Sequence, residues 1–374
     1  MRRRTFLFGA AGALALAAAG CTPATPSRGP QPATVTPFPS PSPAAGAAPP
    51  PEPAARITFA VNVHDWVNHD ESAATLDRLC SIFEAHGVKG DFYFTPEVTR
   101  VLAERHPATI ERLIASRQGI SYHVRPPHPL SSGFEAPLRG LTGAALEAAI
   151  LEYETFALDL ETGGLDRSRP GGYRYVAEVF GTAPVTASPA TGMRGLAAAA
   201  RTVYRQLGAR VTVIEHEAGT AIDDPFEEVD GLLARPVDFS VTRVTPIDGS
   251  DNFWWNLVAR DAGGEYDPLH LLDIQFTAWQ QAHRPRPPFI ISHIHENNVY
   301  RRGAEAWSSI YFTITKGQRG DPLPPPWNLA APDPSSPRSA QEQARIWDAY
   351  ERLVAYAAEH FAVVTSGDIA DLAG

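Results

Sequence analysis

The sequence predicts an α/β fold, a distorted parallel (β/α) barrel of about seven strands, on three observations. From Arg56 onward, runs of β-branched and aromatic residues alternate with segments apolar at helical spacing. Most of the connections between them are short, as in βα units. Three of the apolar runs end in histidines and carboxylates, where α/β folds place their sites.

Ile57–Asp70 (ITFAVNVHDWVNHD) opens as a buried strand and breaks into His64, Asp65, Trp66, Asn68, His69 and Asp70. Ser72–His86 reads as an amphipathic helix ended by Gly87, with Cys80 as a small core residue. Val88–Thr95 is the second strand, and Pro96–Arg117 is helical with an interruption near His106-Pro107. Gly119–Val124 is the third strand, and it runs into His123, Arg125, Pro126, Pro127 and His128. Gly143–Glu161 reads as helix, Gly172–Phe180 as strand and Gly192–Leu207 as an Ala-rich helix. Arg210–Ile214 and Val237–Thr245 are further strands, and Leu269–Ala282 is a helix. Pro288–His295 is a buried strand ending in His293, His295 and then Glu296. Asn298–Arg338, rich in Pro and Gly, is too long for a plain connection and reads as a surface insertion over the site. Ser339–His360 is the last long helix, Phe361–Thr365 the last strand and Gly367–Leu372 a closing helical turn.

The first 20 residues (MRRRTFLFGAAGALALAAAG) combine a basic start, an apolar centre and small residues, the pattern of an export signal. Arg3-Arg4-Thr5-Phe6-Leu7 resembles the twin-arginine pattern, and Ala18-Ala19-Gly20-Cys21 resembles a lipobox. The expectation is an exported protein held to the membrane through lipidated Cys21, facing outside. Residues 21–55 are Pro, Ala, Thr and Ser with few large apolar side chains, a disordered linker. Residues 56–374 then form one domain. The 374 residues carry a net charge of −10, which excludes a nucleic-acid-binding surface as the working reading. With two cysteines, Cys21 and Cys80, neither a disulfide framework nor a cysteine zinc site is available.

Two imidazoles and one carboxylate suit zinc or a similar first-row cation, and Asp65, His123, His128, His293, His295 and Glu296 supply the candidates. Trp254-Trp255 is read as a loop anchor or the wall of a sugar groove. Asp223-Asp224 and Glu227-Glu228 are read as solvated charge, and His106, His216, His270, His283 and His360 as surface or core residues.

From Arg56 onward the chain resembles the polysaccharide deacetylases of the NodB-homology type, carbohydrate esterase family four. NVHDW followed by LDRLCSIFEAHGVKGDFYF, the His123/His128 pair, Gly172-Tyr173-Arg174 and PFIISHIHE carry the resemblance in the family's order. It implies a metal-dependent hydrolase that removes acetyl groups from an envelope or extracellular polysaccharide, acting as a monomer. On this resemblance Asp65, His123 and His128 hold the metal, zinc with cobalt, nickel or manganese as alternatives. His69, His295 or Glu296 can complete the shell. His64 falls where the family has its base, His293 where it has its acid, and Arg174, with Arg169 as competitor, where it has the base-orienting arginine. His64 replaces a carboxylate and the histidine pair is spaced by five instead of four. These departures open an alternative, a carbohydrate-binding lipoprotein without turnover.

Overall fold

The computed structural model describes residues 52–214, 225–241, 243–244, 252–253 and 268–374. The export signal, Cys21, nearly all of the linker, His216, Asp223-Asp224 and Trp254-Trp255 lie outside the described residues.

The main sheet is parallel and curled. Its long central strand β1 (Arg56–Val63) pairs on one side with β2 (Asp91–Phe94), and β2 pairs with β3 (Gly119–His123). Two short strands come from hairpin partners β4 (Phe156–Leu158) and β5 (Leu165–Pro170), which stand outside the sheet. Beyond β3 lies β6 (Ala187–Ser188). On the other side of β1 are β8 (Phe289–His295) and, beyond it, β7 (Phe239–Ser240). The last strand of this sheet, Ala362–Val363, pairs with the start of β1 and completes seven strands. The parallel order across β7, β8, β1, β2, β3 and β6 makes a curled half-barrel, in keeping with the expected distorted (β/α) barrel of about seven strands.

Strand parity explains where the core and the site fall. Ile57, Phe59, Val61 and Val63 point to one face and are fully buried. There they meet Leu76, Leu79, Cys80 and Phe83 of α1 (His69–Ala85) and Tyr350, Leu353 and Val354 of the long helix Ala340–His360. The opposite face of β1 is the barrel interior, where Ala60 packs on Tyr93 and Ile291. His64, His123, His293 and His295 share that parity in their own strands, so alternation alone sends four imidazoles toward the same interior. Helices α2 (Pro96–Arg105) and α3 (Pro107–Ala115) follow β2, with His106 at their junction.

Two predicted segments fold differently. Gly172–Phe180 is a helix, α5, following α4 (Gly143–Tyr153) and the hairpin. Its aromatic and β-branched content reads as strand, but Tyr173, Val176 and Phe180 recur at helical spacing and bury together. Gly171 and Gly172 let the chain turn there. A Cβ on Gly171 would lie 2.4 Å from the Phe156 carbonyl oxygen, and one on Gly172 2.3 Å from the Glu154 Cα. The helix predicted over Gly143–Glu161 stops at Tyr153, and its remainder enters β4.

Candidate active site

The site is built at the C-terminal end of the sheet from β1, β3 and β8. His64 follows β1 directly, and its Nε2 lies 3.1 Å from Nδ1 of His295. The rings meet edge to face, with centroids 4.8 Å apart. The ring of His123 is 6.0 Å from that of His64, and the ring of His293 is 5.5 Å from that of His295. His64 and His295 are buried, whereas His123 and His293 are half-buried. The four therefore form an inner pair behind an outer pair. Nε2 of His123 is shut off from solvent and has no hydrogen-bond partner, a cost a folded protein carries mainly where a group has work to do.

The insertion closes over this end. Its residues Trp307, Ile310, Tyr311 and Trp327 pack with Phe134 against Trp66 and Val67. Trp307 Nε1 donates to His64 Nδ1 at 3.1 Å. An indole N–H can only donate, so His64 Nδ1 accepts. Neutral His64 then carries its proton on Nε2 and donates it to His295 Nδ1, which leaves the His295 proton on Nε2. Burial, and next to it the Arg125 guanidinium, hold His64 and His123 well below the usual imidazole range. Burial first, then His64 and Arg125, do the same for His295. The fixed tautomers are those of neutral rings. Arg125 Nη2, which can only donate, lies 3.5 Å from His295 Nε2. Two neutral rings have too few lone pairs to accept from Trp307, from each other and from Arg125, so the shorter Trp307 bond sets the tautomers and Arg125 stands by as a charge beside the His295 N–H.

The carboxylates are committed elsewhere. Asp65 is fully buried; its Oδ1 accepts from the Val67 and Asn68 backbone N–H, and its Oδ2 from Asn68 Nδ2 and Tyr300 Oη. It shapes the turn into α1. Glu296 Oε1 accepts the backbone N–H of His64 at 2.7 Å and of Asp65 at 2.6 Å. Burial, with the Asp65 charge behind it, pushes Glu296 up to about 8, so it carries a proton at neutral pH.

Among the residues expected from the sequence, the structure brings together His64, His123, His293 and His295, with Asp65 and Glu296 beneath them. It does not gather Asp65, His123 and His128 at one point. Nδ1 of His128 accepts the Leu130 N–H, and its Nε2 stands 3.5 Å from buried Glu154. Arg174 is exposed on α5, beside Ala177 and Glu178. His69 belongs to a separate surface group. Arg169 lines a cavity of about 710 Å³ with His128, Arg100, Tyr153, Trp66 and Tyr311. Arg125, Trp307, Glu305 and Arg319 were not singled out from sequence.

Among the described residues, His64, His295 and Glu305 have ligand atoms within 4.8 Å of one another, donor types that could hold a divalent cation. Their arrangement does not suit one. A ligating imidazole presents a lone pair to the ion and donates its other N–H, but His64 accepts from Trp307 and has its proton on the inward nitrogen. Glu305 is ion-paired with Arg319, and Arg125 adds a second guanidinium. As folded, the group fits a hydrogen-bonded chain beside two fixed positive charges. Trp307→Phe removes the donor that sets the tautomer. It is expected to lower turnover by about 10–100-fold, the scale of losing a partner that orients a site histidine, and to shift the His64 ¹⁵N resonances; unchanged resonances would show that Trp307 does not set them.

No protein-family model matches the chain, and no curated protein does. Solved structures do. A protein described as a polysaccharide deacetylase from Mycobacterium smegmatis aligns over 89% of this chain and 94% of its own, at 14% identity and a TM-score of 0.45. One so described from Pseudomonas aeruginosa PAO1 aligns over 85% and 90%, at 14% identity and 0.43. Puue allantoinase aligns over 86% and 91%, at 13% identity and 0.44. The chain is similar to deacetylase-type barrels. At these scores the likeness carries no chemistry to this chain, and the fold rests on its own strand order and pairing.

Proposed function

We propose that the protein is a hydrolase of the deacetylase type, cleaving an acetyl amide or ester on a carbohydrate. The observation that carries this reading is the paired arrangement of His64, His123, His293 and His295 at the C-terminal end of the sheet, beside Arg125. Once substrate and one water are admitted to the site, His123 Nε2, unpartnered and closed to solvent in the free chain, takes that water's proton. Arg125 and the His295 N–H hold the negative charge that develops on the acyl oxygen, beneath the apolar cluster around Trp307. His293 hands a proton to the departing amine or alkoxide. His64 keeps His295 in the donating tautomer, and Asp65 and Glu296 fix the backbone that carries His64. On the sequence signals, the protein works outside the cell membrane, tethered through Cys21 and the 21–55 linker.

A second reading seats the zinc, cobalt, nickel or manganese ion that the resemblance implies. The donor types of His64, His295 and Glu305 favour it, and it requires those side chains to rearrange away from Trp307 and Arg319. Acetate release from N- and O-acetylated oligosaccharides by the full chain tests the function itself. Release from one class supports it; no release from either contradicts it.

A further inference from the structure

A second group of metal-ligating side chains lies outside the imidazole cluster. His69 opens α1, Asp70 follows it, and His106 sits at the α2–α3 junction. Nδ1 of His69 and Nε2 of His106 are 3.0 Å apart. Oδ1 of Asp70 lies 3.2 Å from the first and 3.1 Å from the second. Three donor atoms from three side chains thus form a nearly equilateral triangle. The centre of such a triangle is about 1.8 Å from each corner, so an ion at the usual ~2.0–2.1 Å from imidazole nitrogen and carboxylate oxygen sits roughly 1 Å above its plane. To admit it, the hydrogen bond between the two rings opens and the proton between them moves to the far nitrogen of its own ring. Both histidines can do this because, among the described residues, neither far nitrogen is held by a fixed donor such as the Trp307 indole on His64. Asp70 is 78% exposed and the histidines 22% and 23%, which leaves the outer position open to water.

The electrostatics differ from those of the central group. Among the described residues Asp70 pairs with no lysine or arginine, so its charge is available to a cation.

We propose that His69, Asp70 and His106 form a divalent transition-metal site with two nitrogen ligands, one oxygen ligand and an open position. Bound there, the ion ties the β1–α1 connection, which carries His64 and Asp65, to the α2–α3 elbow. It stabilises the folded chain in proportion to its occupancy.

The test is titration of the full chain with Co²⁺, followed by its visible absorption, and with Zn²⁺, followed by the thermal midpoint. Wild type is expected to take up one equivalent of Co²⁺ and to show a Zn²⁺-dependent rise in midpoint. His69→Ala and His106→Ala are expected to lose both, and exposed Asp70→Asn, which cannot disturb the core, to bind more weakly. His295→Ala is expected to keep both, which separates this site from any ion in the central cluster. No uptake by wild type, or uptake unchanged in both His69→Ala and His106→Ala, would overturn the proposal and leave a hydrogen-bonded histidine pair.

Discussion

Replacing His293 by alanine is expected to lower kcat/KM for acetate release by about 10²–10⁴-fold, the usual worth of one positioned acid or base. The loss should fall mainly on kcat, because the proton is needed only as the leaving group departs. His293 is half-buried within β8, level with Ala60 of β1, and is a polar ring outside the apolar clusters, so its loss is not a loss of core packing. Circular dichroism should match wild type. Substrates with a more acidic leaving group need less protonation and should lose less. Full activity of a folded His293→Ala protein would remove this role.

Glu296 is expected to make stability decline as pH rises from 4.5 through about 8. Its carboxyl is raised from 4.5 to about 8 in the folded protein, by burial first and Asp65 second. Between those values the folded state holds a proton that the unfolded state has released. The stabilisation is therefore fully present below pH 4.5 and is lost as pH rises through about 8. The slope from one such group is at most about 1.4 kcal/mol per pH unit. Glu296→Gln keeps the acceptor for the His64 and Asp65 N–H groups but cannot titrate, so denaturant unfolding across this range should show a flatter decline. Glu296→Leu strands both N–H groups and is expected to cost about 2–5 kcal/mol. His64, His123 and His295 act with the opposite sign. Their folded values lie below 6.5, so they destabilise as pH falls below that point, where the unfolded rings bind protons the folded ones refuse. A decline toward high pH that is equally steep in Glu296→Gln would assign it to another group.

The strands that carry the site were legible because each is a β-branched run that stops at a polar residue, and parity then fixes which side chains share a face. The stretches 57–70, 119–128 and 288–296 show His123, His293 and His295 as strand-end candidates in this way, while His64 gains a role only through the family resemblance. His128 shows the limit. The segment from Arg125 to Leu130 turns its ring onto Glu154, a partner that arrives through α4. Asp65 was read as a ligand from its place at a strand end. Its four hydrogen bonds come from Val67, twice from Asn68, and from Tyr300, 235 residues away. Trp307, Glu305 and Arg319 come from the insertion, whose composition says only that it is not a plain connection. Nothing local marks a tryptophan in a Pro-rich loop as the donor that fixes a histidine tautomer. Arg125 has a local signal, a cation two residues beyond His123, but the histidines around it are the stronger one. Gly172–Phe180 misleads because tyrosine, valine and phenylalanine favour strands in general, while spacing and the tight approach at Gly171 and Gly172 decide for helix here.

The central claim is that this cluster works through imidazole protons and Arg125, with His64 locked by Trp307, and not through a resident ion. The most direct measurement is acetate release by the full chain before and after exhaustive chelation, with His123→Ala measured alongside. The account predicts that chelation leaves the rate within about twofold, while His123→Ala loses about 10²-fold or more. Activity abolished by the chelator and restored by Zn²⁺, in wild type and in His106→Ala alike, would contradict it and place the ion in the central cluster.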